Sequence, residues 1–152
     1  MEAMNQLQQQ YVDYLSSLYR EGLLEKQFLN IQKLQDENHP QFVREVLTLY
    51  FDDSERLLHT LDTALNQTDV DYAQVHHSAL DIYESSLSFG TQRVQNVCVT
   101  FRSCYYAKDL DGCLRCLQQL KDEYYLVKGK LQTLLTLEQQ IVAAGGSMPI
   151  VE

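Results

Sequence analysis

The chain has 152 residues, 45% hydrophobic and 22% charged, with a formal charge of -9 and only 6 Gly and 2 Pro. This length can bury the core of a single domain over residues 1–152 without a metal or disulfide. The negative charge would repel a phosphate backbone or an anionic membrane surface, so we expect neither nucleic acid nor membrane as a direct partner. With no signal-like start and no apolar run near the roughly 20 residues of a membrane span, we expect an intracellular protein.

Helical periodicity dominates the chain. Apolar residues recur at spacings of three and four almost from end to end, and no run alternates with period two, which predicts an all-α fold. The first helix is expected from about Asn5 to Arg20, with Gly22 ending it, and a short second helix from about Leu24 to Leu34.

A long third helix is expected to begin after the capping residues 36–38, with Pro40 in its first turn, and to end near Gln67. Seven residues are predicted for its core side: Phe42, Val46, Leu49, Tyr50, Leu57, Leu61 and Leu65.

The fourth helix, capped by Thr68 or Asp69 and ended by Gly90, carries two stripes. The first has the spacing of a core-facing stripe: Tyr72, Val75, Ala79, Ile82, Ser86 and Phe89. The second lies about one residue further round and, with two neighbours, forms a surface that we call the Leu80 face: His76, His77, Leu80, Tyr83, Glu84 and Leu87. Such an apolar surface is typical of a binding site, unless the first two helices cover it as ordinary core.

Two more helices complete the prediction, one from about Thr91 to Ala107 and one from about Cys113 to Ala144, joined by a turn at residues 109–112. The last helix is expected to bury ten residues: Leu117, Leu120, Tyr124, Leu126, Val127, Leu131, Leu134, Leu135, Leu137 and Ile141. Short connections favour an antiparallel up-and-down four-helix bundle over about residues 40–144, with the two N-terminal helices against one end.

The four cysteines lie within helical patterns: Cys98, Cys104, Cys113 and Cys116. Cys113 and Cys116 have the two-residue spacing of metal and redox sites, but no second pair with that spacing follows and no histidine is nearby. We interpret them as structural thiols and expect neither a metal nor a cofactor.

Four segments carry a family resemblance: LQDENHPQF from Leu34, SFGTQRVQNVCVTFRS from Ser88, GCLRCLQQLKDEYYLVK from Gly112 and LEQQIVAAGG from Leu137. On these segments the chain resembles the plant histidine-containing phosphotransfer proteins, which shuttle phosphoryl groups in multistep two-component relays.

The resemblance places the phospho-acceptor histidine at Leu80. The family motif reads His-x-x-Lys-Gly-Ser-Ser, and counting from the segments on both sides puts its lysine at Tyr83 and its glycine at Glu84, with Ser85 and Ser86 retained. A leucine side chain has no nitrogen lone pair to accept a phosphoryl group. The resemblance therefore implies a pseudo form without its acceptor.

Three functions remain open from the sequence. The first is a non-phosphorylated adaptor that docks receiver domains of hybrid sensor histidine kinases and response regulators through the Leu80 face, with Ser85, Ser86 and Gly90 in support. The second is an active phosphotransfer protein that uses His77 or His76, and the third is a helical scaffold that binds no receiver. The resemblance also implies cytokinin-type signalling, a monomer, no enzyme activity, and a location in cytosol and nucleus.

Overall fold

The structure, a computed structural model, describes residues 2–149 and 151. It contains six helices: α1 (Glu2–Arg20), α2 (Gln27–Gln32), α3 (Phe42–Leu65), α4 (Tyr72–Phe89), α5 (Gln92–Tyr106) and α6 (Leu110–Ala143). No described residue lies in a strand, and none of these helices is long and apolar enough to span a membrane. The predicted all-α fold is confirmed.

Helices α3 to α6 form the bundle. Each packs on the next in chain order, and α6 returns to pack on α3. Helix α1 lies along α6, while α2 packs on α4, so the N-terminal helices cover one side and one end of the bundle. The predicted four-helix bundle with two additional helices is confirmed; the extent of the domain over residues 1–152 stays a prediction.

Every helix contributes to the hydrophobic core. One fully buried side chain from each illustrates this: Leu15, Phe28, Leu61, Ile82, Phe101 and Leu131. Burying a large apolar side chain contributes roughly 1.5–3 kcal/mol, so the helices are held together mainly by this shared core.

The start of α3 differs from the prediction. Asp36 Oδ1 accepts the backbone N–H groups of Asn38 and His39 at 2.9 and 3.1 Å, which closes a separate turn before the helix. The N–H of Val43, the second residue of α3, is instead accepted by Gln35 Oε1 at 3.0 Å. The predicted cap at residues 36–38 was wrong because its acceptor is used within its own turn.

The starts of two other helices also differ from the prediction. Asp71, rather than Thr68 or Asp69, caps α4, with its carboxylate accepting the Gln74 N–H at 3.2 Å. Residues 109–112, predicted as a turn, instead form the cap and first turn of α6, where the Asp109 carboxylate accepts the Gly112 N–H at 3.0 Å. Thr68, Asp69, Asp71 and Asp109 can each cap a helix, so residue type alone does not decide which of them does.

Two leucines predicted for the core are on the surface: Leu49 is 63% exposed and Leu126 is 40% exposed. In the first half of α3 the buried stripe runs through Val43, Leu47 and Tyr50. The predicted stripe was displaced there by one residue, which corresponds to about 100° of rotation on a helix with 3.6 residues per turn.

Candidate functional site

The end of α4 is fixed by a close approach to the N-terminal segment. Gly90 has φ 72°, in the left-handed region, and its carbonyl accepts the Glu25 N–H at 2.9 Å. A Cβ at this position would lie 2.9 Å from the Glu25 carbonyl oxygen and 3.1 Å from the Phe28 nitrogen. Glycine is required here by both the backbone angle and the available space.

A buried polar network underlies the C-terminal half of α4. The Tyr50 hydroxyl lies 2.8 Å from Ser86 Oγ and 2.8 Å from Thr91 Oγ1. Gln95 Nε2 donates to the Ser86 carbonyl at 3.1 Å and to Glu25 Oε1 at 2.8 Å. Burial raises the pKa of Tyr50, so its hydroxyl stays protonated and able to donate. The network connects α4 to α3, α5 and the N-terminal segment.

The inner stripe of α4 has the predicted orientation. Four of its members are buried: Val75, Ala79, Ile82 and Ser86. The two at its ends, Tyr72 and Phe89, are partly buried and pack on the core. This packing fixes the rotation of the helix about its axis and therefore determines which residues face outward.

Leu80 and Leu87 point away from the core. Leu80 is 37% exposed and Leu87 is 41% exposed, whereas Tyr83 is partly buried and packs against core residues. His77 and Glu84 are exposed. The alternative in which the N-terminal helices cover this stripe is therefore wrong for the two leucines.

The two histidines differ in their surroundings. His76 is partly buried, and its Nδ1 lies 3.1 Å from the Tyr105 hydroxyl. Its ring centroid is 5.6 Å from those of His77 and Tyr106. Burial raises the pKa of Tyr105, so this hydroxyl remains neutral. One nitrogen of His76 is thus occupied within the protein, while His77 faces solvent.

A small pocket of about 130 Å³ lies between α4 and α5 beside Leu80. Leu80 and Tyr83 line it from α4, and Val99 and Arg102 from α5. Cys98 also contributes to its wall; burial raises the pKa of this thiol to about 12 and keeps it neutral. Sequence analysis missed the α5 residues, although Val99 and Arg102 share the helical spacing of an outward stripe.

The opposite side of Leu80 is acidic. A groove of about 330 Å³ between α3 and α4 is lined by Asp53, Asp81, Glu84 and Ser85. Arg56 also lines the groove, and its Nη2 lies 3.9 Å from Asp53 Oδ1. Leu80 therefore separates an apolar pocket, with Arg102 at its edge, from an anionic groove.

The thiols lie within the bundle. Cys98, Cys113 and Cys116 are buried and Cys104 is partly buried, which agrees with their interpretation as structural thiols. Cys104 and Cys116 are neighbours across α5 and α6, with sulfur atoms 3.8 Å apart. In residues 2–149 and 151, no group of three or more His, Cys, Asp or Glu side chains is arranged to hold a metal ion.

Comparison with known proteins decides the family. Residues 45–130 match the Hpt domain family, and the chain is 51% identical to histidine-containing phosphotransfer protein 1 of Arabidopsis thaliana over 97% of this chain and 96% of the relative. The chain belongs to the plant histidine-containing phosphotransfer proteins. Members of this family are phosphorelay carriers rather than classical enzymes.

Family members with and without the word pseudo in their names are similar to this chain. Pseudo histidine-containing phosphotransfer protein 6 of Arabidopsis thaliana is 43% identical over 90% of each chain. The crystal structure of a histidine-containing phosphotransfer protein from Medicago truncatula superposes with a TM-score of 0.89 at 45% identity, covering 97% of this chain and 100% of the other. This chain therefore shares its fold with that family member.

Proposed function

We propose that this protein is a phosphorelay adaptor that docks receiver domains of hybrid sensor histidine kinases and response regulators but carries no phosphoryl group. It would act by occupying receivers in a plant cytokinin-type relay, as a monomer in cytosol and nucleus. The observation that carries the proposal is the exposed Leu80, at the position where the family resemblance places the acceptor histidine.

The chemistry around Leu80 opposes a phosphoryl group. Tyr83 stands where the family motif has a lysine, and Glu84 adds a carboxylate where the motif has glycine. Glu84 shares its groove with Asp53 and Asp81. Two like charges about 4 Å apart cost on the order of 1 kcal/mol in water and roughly 4 kcal/mol at an effective dielectric of 20. A transferred phosphate would therefore be repelled as well as lack an acceptor.

Docking does not require the imidazole. The exposed side chain of Leu80 stands at the rim of the apolar pocket between α4 and α5, and Val99 and Tyr106 extend exposed apolar surface along α5. Fully burying a leucine at an interface contributes roughly 1.5–3 kcal/mol, and interface energy is usually concentrated in a few such residues. The Leu80 face can thus bind a receiver without reacting with it.

The alternative is an active phosphotransfer protein that uses His77 or His76, and the exposure of His77 favours it. Both histidines precede Leu80 by about one helical turn, roughly 4.5–6 Å along the axis. Because a 1 Å misplacement can lower a transfer rate by about a hundredfold, this displacement argues against efficient transfer. For His76, the contact of Nδ1 with Tyr105 adds a further restraint.

The deciding experiment combines binding with transfer. A purified receiver domain of a plant hybrid histidine kinase is titrated into the unaltered protein and into the triple variant Leu80→His, Tyr83→Lys, Glu84→Gly, and each protein is then incubated with the phosphorylated receiver. We expect both proteins to bind and only the triple variant to gain acid-labile phosphate.

Matched controls separate the three functions. Leu80→Ala should weaken receiver binding, whereas Leu49→Ala, which truncates another exposed leucine on α3, should not. Acid-labile phosphate on the unaltered protein, lost in His76→Ala or His77→Ala, would establish the active alternative. Failure of the unaltered protein to bind receivers would leave a helical scaffold.

A further inference from the structure

Two of the four thiols meet where α5 packs on α6. Cys104 lies near the end of α5 and Cys116 in the second turn of α6, and their sulfur atoms are 3.8 Å apart. Both thiols are free, with Cys104 partly exposed and Cys116 buried. A disulfide bond is about 2.05 Å long, so the present separation is about 1.8 Å longer than a bond between them would be. The two side chains therefore stand close enough to be tested as a redox pair.

The close approach of the sulfurs depends on Gly112 in the first turn of α6. Gly112 and Cys116 are four residues apart, so they lie on the same face of that helix. A Cβ at Gly112 would lie 2.9 Å from Cys104 Sγ, closer than side-chain atoms normally approach. The missing side chain thus leaves the space that the Cys104 sulfur occupies beside Cys116. The Gly112 N–H is accepted by Asp109 Oδ1 at 3.0 Å, which holds this turn in place.

A surface groove of about 490 Å³ leads to this pair. Both cysteines line it together with the cationic side chain of Arg115, and all of its lining residues come from α5 and α6. The groove is therefore separate from the pocket beside Leu80. Cys98 and Cys113 are 4% and 0% exposed and do not line the groove. A small oxidant that enters the groove thus reaches Cys104 before any other thiol.

We propose that Cys104 and Cys116 react with hydrogen peroxide to form a reversible intramolecular disulfide. The Cys104 thiolate attacks one peroxide oxygen and the O–O bond breaks, which leaves Cys104 as a sulfenic acid. The departing hydroxide takes up the proton that the thiol released. The Cys116 sulfur then attacks the Cys104 sulfur and displaces hydroxide, which leaves as water with the Cys116 proton. In total, two thiols are oxidised to one disulfide and one peroxide is reduced to two water molecules.

The surroundings assign the order of the two thiols. Burial and the neighbouring Cys104 raise the pKa of Cys116, and the Arg115 guanidinium opposes that shift. Since the thiolate is the reactive form, Cys116 is the slower of the two toward peroxide. Cys104 therefore reacts first, and Cys116, already in contact with it, resolves the sulfenic acid. No residue of α4 takes part, so this site does not rest on the proposed function.

Peptide mapping of the full chain tests this pairing. The reduced protein is treated with hydrogen peroxide, its remaining thiols are blocked with iodoacetamide, and it is digested without reductant. Trypsin cuts after Lys and Arg and so leaves each cysteine in a peptide of its own: 94–102, 103–108, 109–115 and 116–121. We expect peptide 103–108 linked to peptide 116–121 in a protein that stays monomeric. Dithiothreitol should reverse the link and restore all four thiols.

Two variants separate the roles of the thiols. In Cys116→Ser the cross-link should disappear, and Cys104 should remain as a sulfenic acid that dimedone traps. Cys98→Ala is the matched control, because it removes a buried thiol outside the groove and should leave the cross-link unchanged. In the unaltered protein, Cys104 should be oxidised at least about tenfold faster than Cys98, whose burial keeps it unreactive.

The other outcomes overturn the proposal. A link from peptide 103–108 to peptide 109–115 would make Cys113 the partner, and a link between two chains would exclude an intramolecular site. Four thiols remaining after peroxide treatment would show that the pair does not react. The pairing is read from the unaltered protein, so a variant that fails to fold leaves the test intact.

Discussion

The two faces of α4 have different roles, one in holding the fold and one in presenting the position of the phospho-acceptor. The inner face keeps the packing and hydrogen bonds that hold the helix, with Ile82 in the core and Ser86 bonded to Tyr50. The outer face presents Leu80 and Glu84 at the positions where the family resemblance expects a reactive histidine and a glycine. The fold of a phosphotransfer protein therefore depends on residues separate from those that carry phosphoryl chemistry, although both sets alternate along one helix.

Under the function proposed above, this separation would let a phosphoryl carrier become an adaptor. A substitution on the outer face leaves the buried stripe and the polar network in place, so it changes reactivity without a large loss of stability. A substitution on the inner face should instead lower stability, because it removes core packing or a hydrogen bond of the network. The following variants test this contrast.

The largest expected effect is the difference in unfolding free energy between Ile82→Ala and Leu80→Ala. Removing the buried Ile82 side chain leaves a cavity and should cost about 2–5 kcal/mol of unfolding free energy, whereas Leu80→Ala, at an exposed position, should cost less than about 1 kcal/mol. Urea unfolding measures both. Similar losses in the two variants would contradict the separation of the faces.

Next in size is Gly90→Ala. The left-handed backbone costs an L-residue about 1–2 kcal/mol, and the added Cβ would meet the backbone of Glu25 and Phe28, so we expect a total loss of at least about 2 kcal/mol. Gly129→Ala is the matched control, because Gly129 lies inside α6 with open space around it and should gain roughly 0.5–1 kcal/mol. Thermal unfolding of both variants should therefore give melting temperatures shifted in opposite directions.

A smaller loss is expected for Tyr50→Phe, which removes one hydroxyl from the polar network. Ser86 Oγ and Thr91 Oγ1 would each lose a partner, at a cost of about 1–3 kcal/mol. Tyr125→Phe removes a hydroxyl from an exposed ring and should change stability by less than about 0.5 kcal/mol. Equal stability of Tyr50→Phe and the unaltered protein in chemical denaturation would show that the network is not needed to hold α4.

The smallest effect concerns the reactivity of the two histidines. Diethyl pyrocarbonate should modify the exposed His77 faster than His76, whose Nδ1 contacts Tyr105. Peptide mass spectrometry over time gives the two rates, and Tyr105→Phe should bring them closer together. Faster modification of His76 in the unaltered protein would favour it as a substitute acceptor.

Much of the fold could be predicted from periodicity, but not its exact rotation. The helical order and the inner stripe of α4 followed from spacing alone, because a helix must bury its apolar side. Leu49 was placed wrongly because adjacent positions of α3 are also apolar, and only packing against the other helices decides which of them is buried. The cap of α4 was ambiguous for a similar reason, since Thr68, Asp69 and Asp71 can all accept a backbone N–H.

Only the part of the candidate site that lies on a single helix, α4, could be predicted from the sequence. The outward direction of Leu80 follows from the helical repeat and the family motif, both of which are local in sequence. The pocket between α4 and α5 depends on how two helices meet, so Val99 and Arg102 could not be assigned to it from their own segment. The acidic groove likewise requires Asp53 from α3 beside Glu84 from α4.

The backbone hydrogen bond between Glu25 and Gly90 bears on how far the chain can be shortened without losing contacts of the bundle. Residues 45–130 match the domain family, yet Glu25, Phe28 and the whole of α1 precede that segment. A chain cut to those limits would end α4 without the backbone bond from Glu25 and would uncover the core that Phe28 and Leu15 close. The recognisable family segment is therefore shorter than the unit that packs together in this structure.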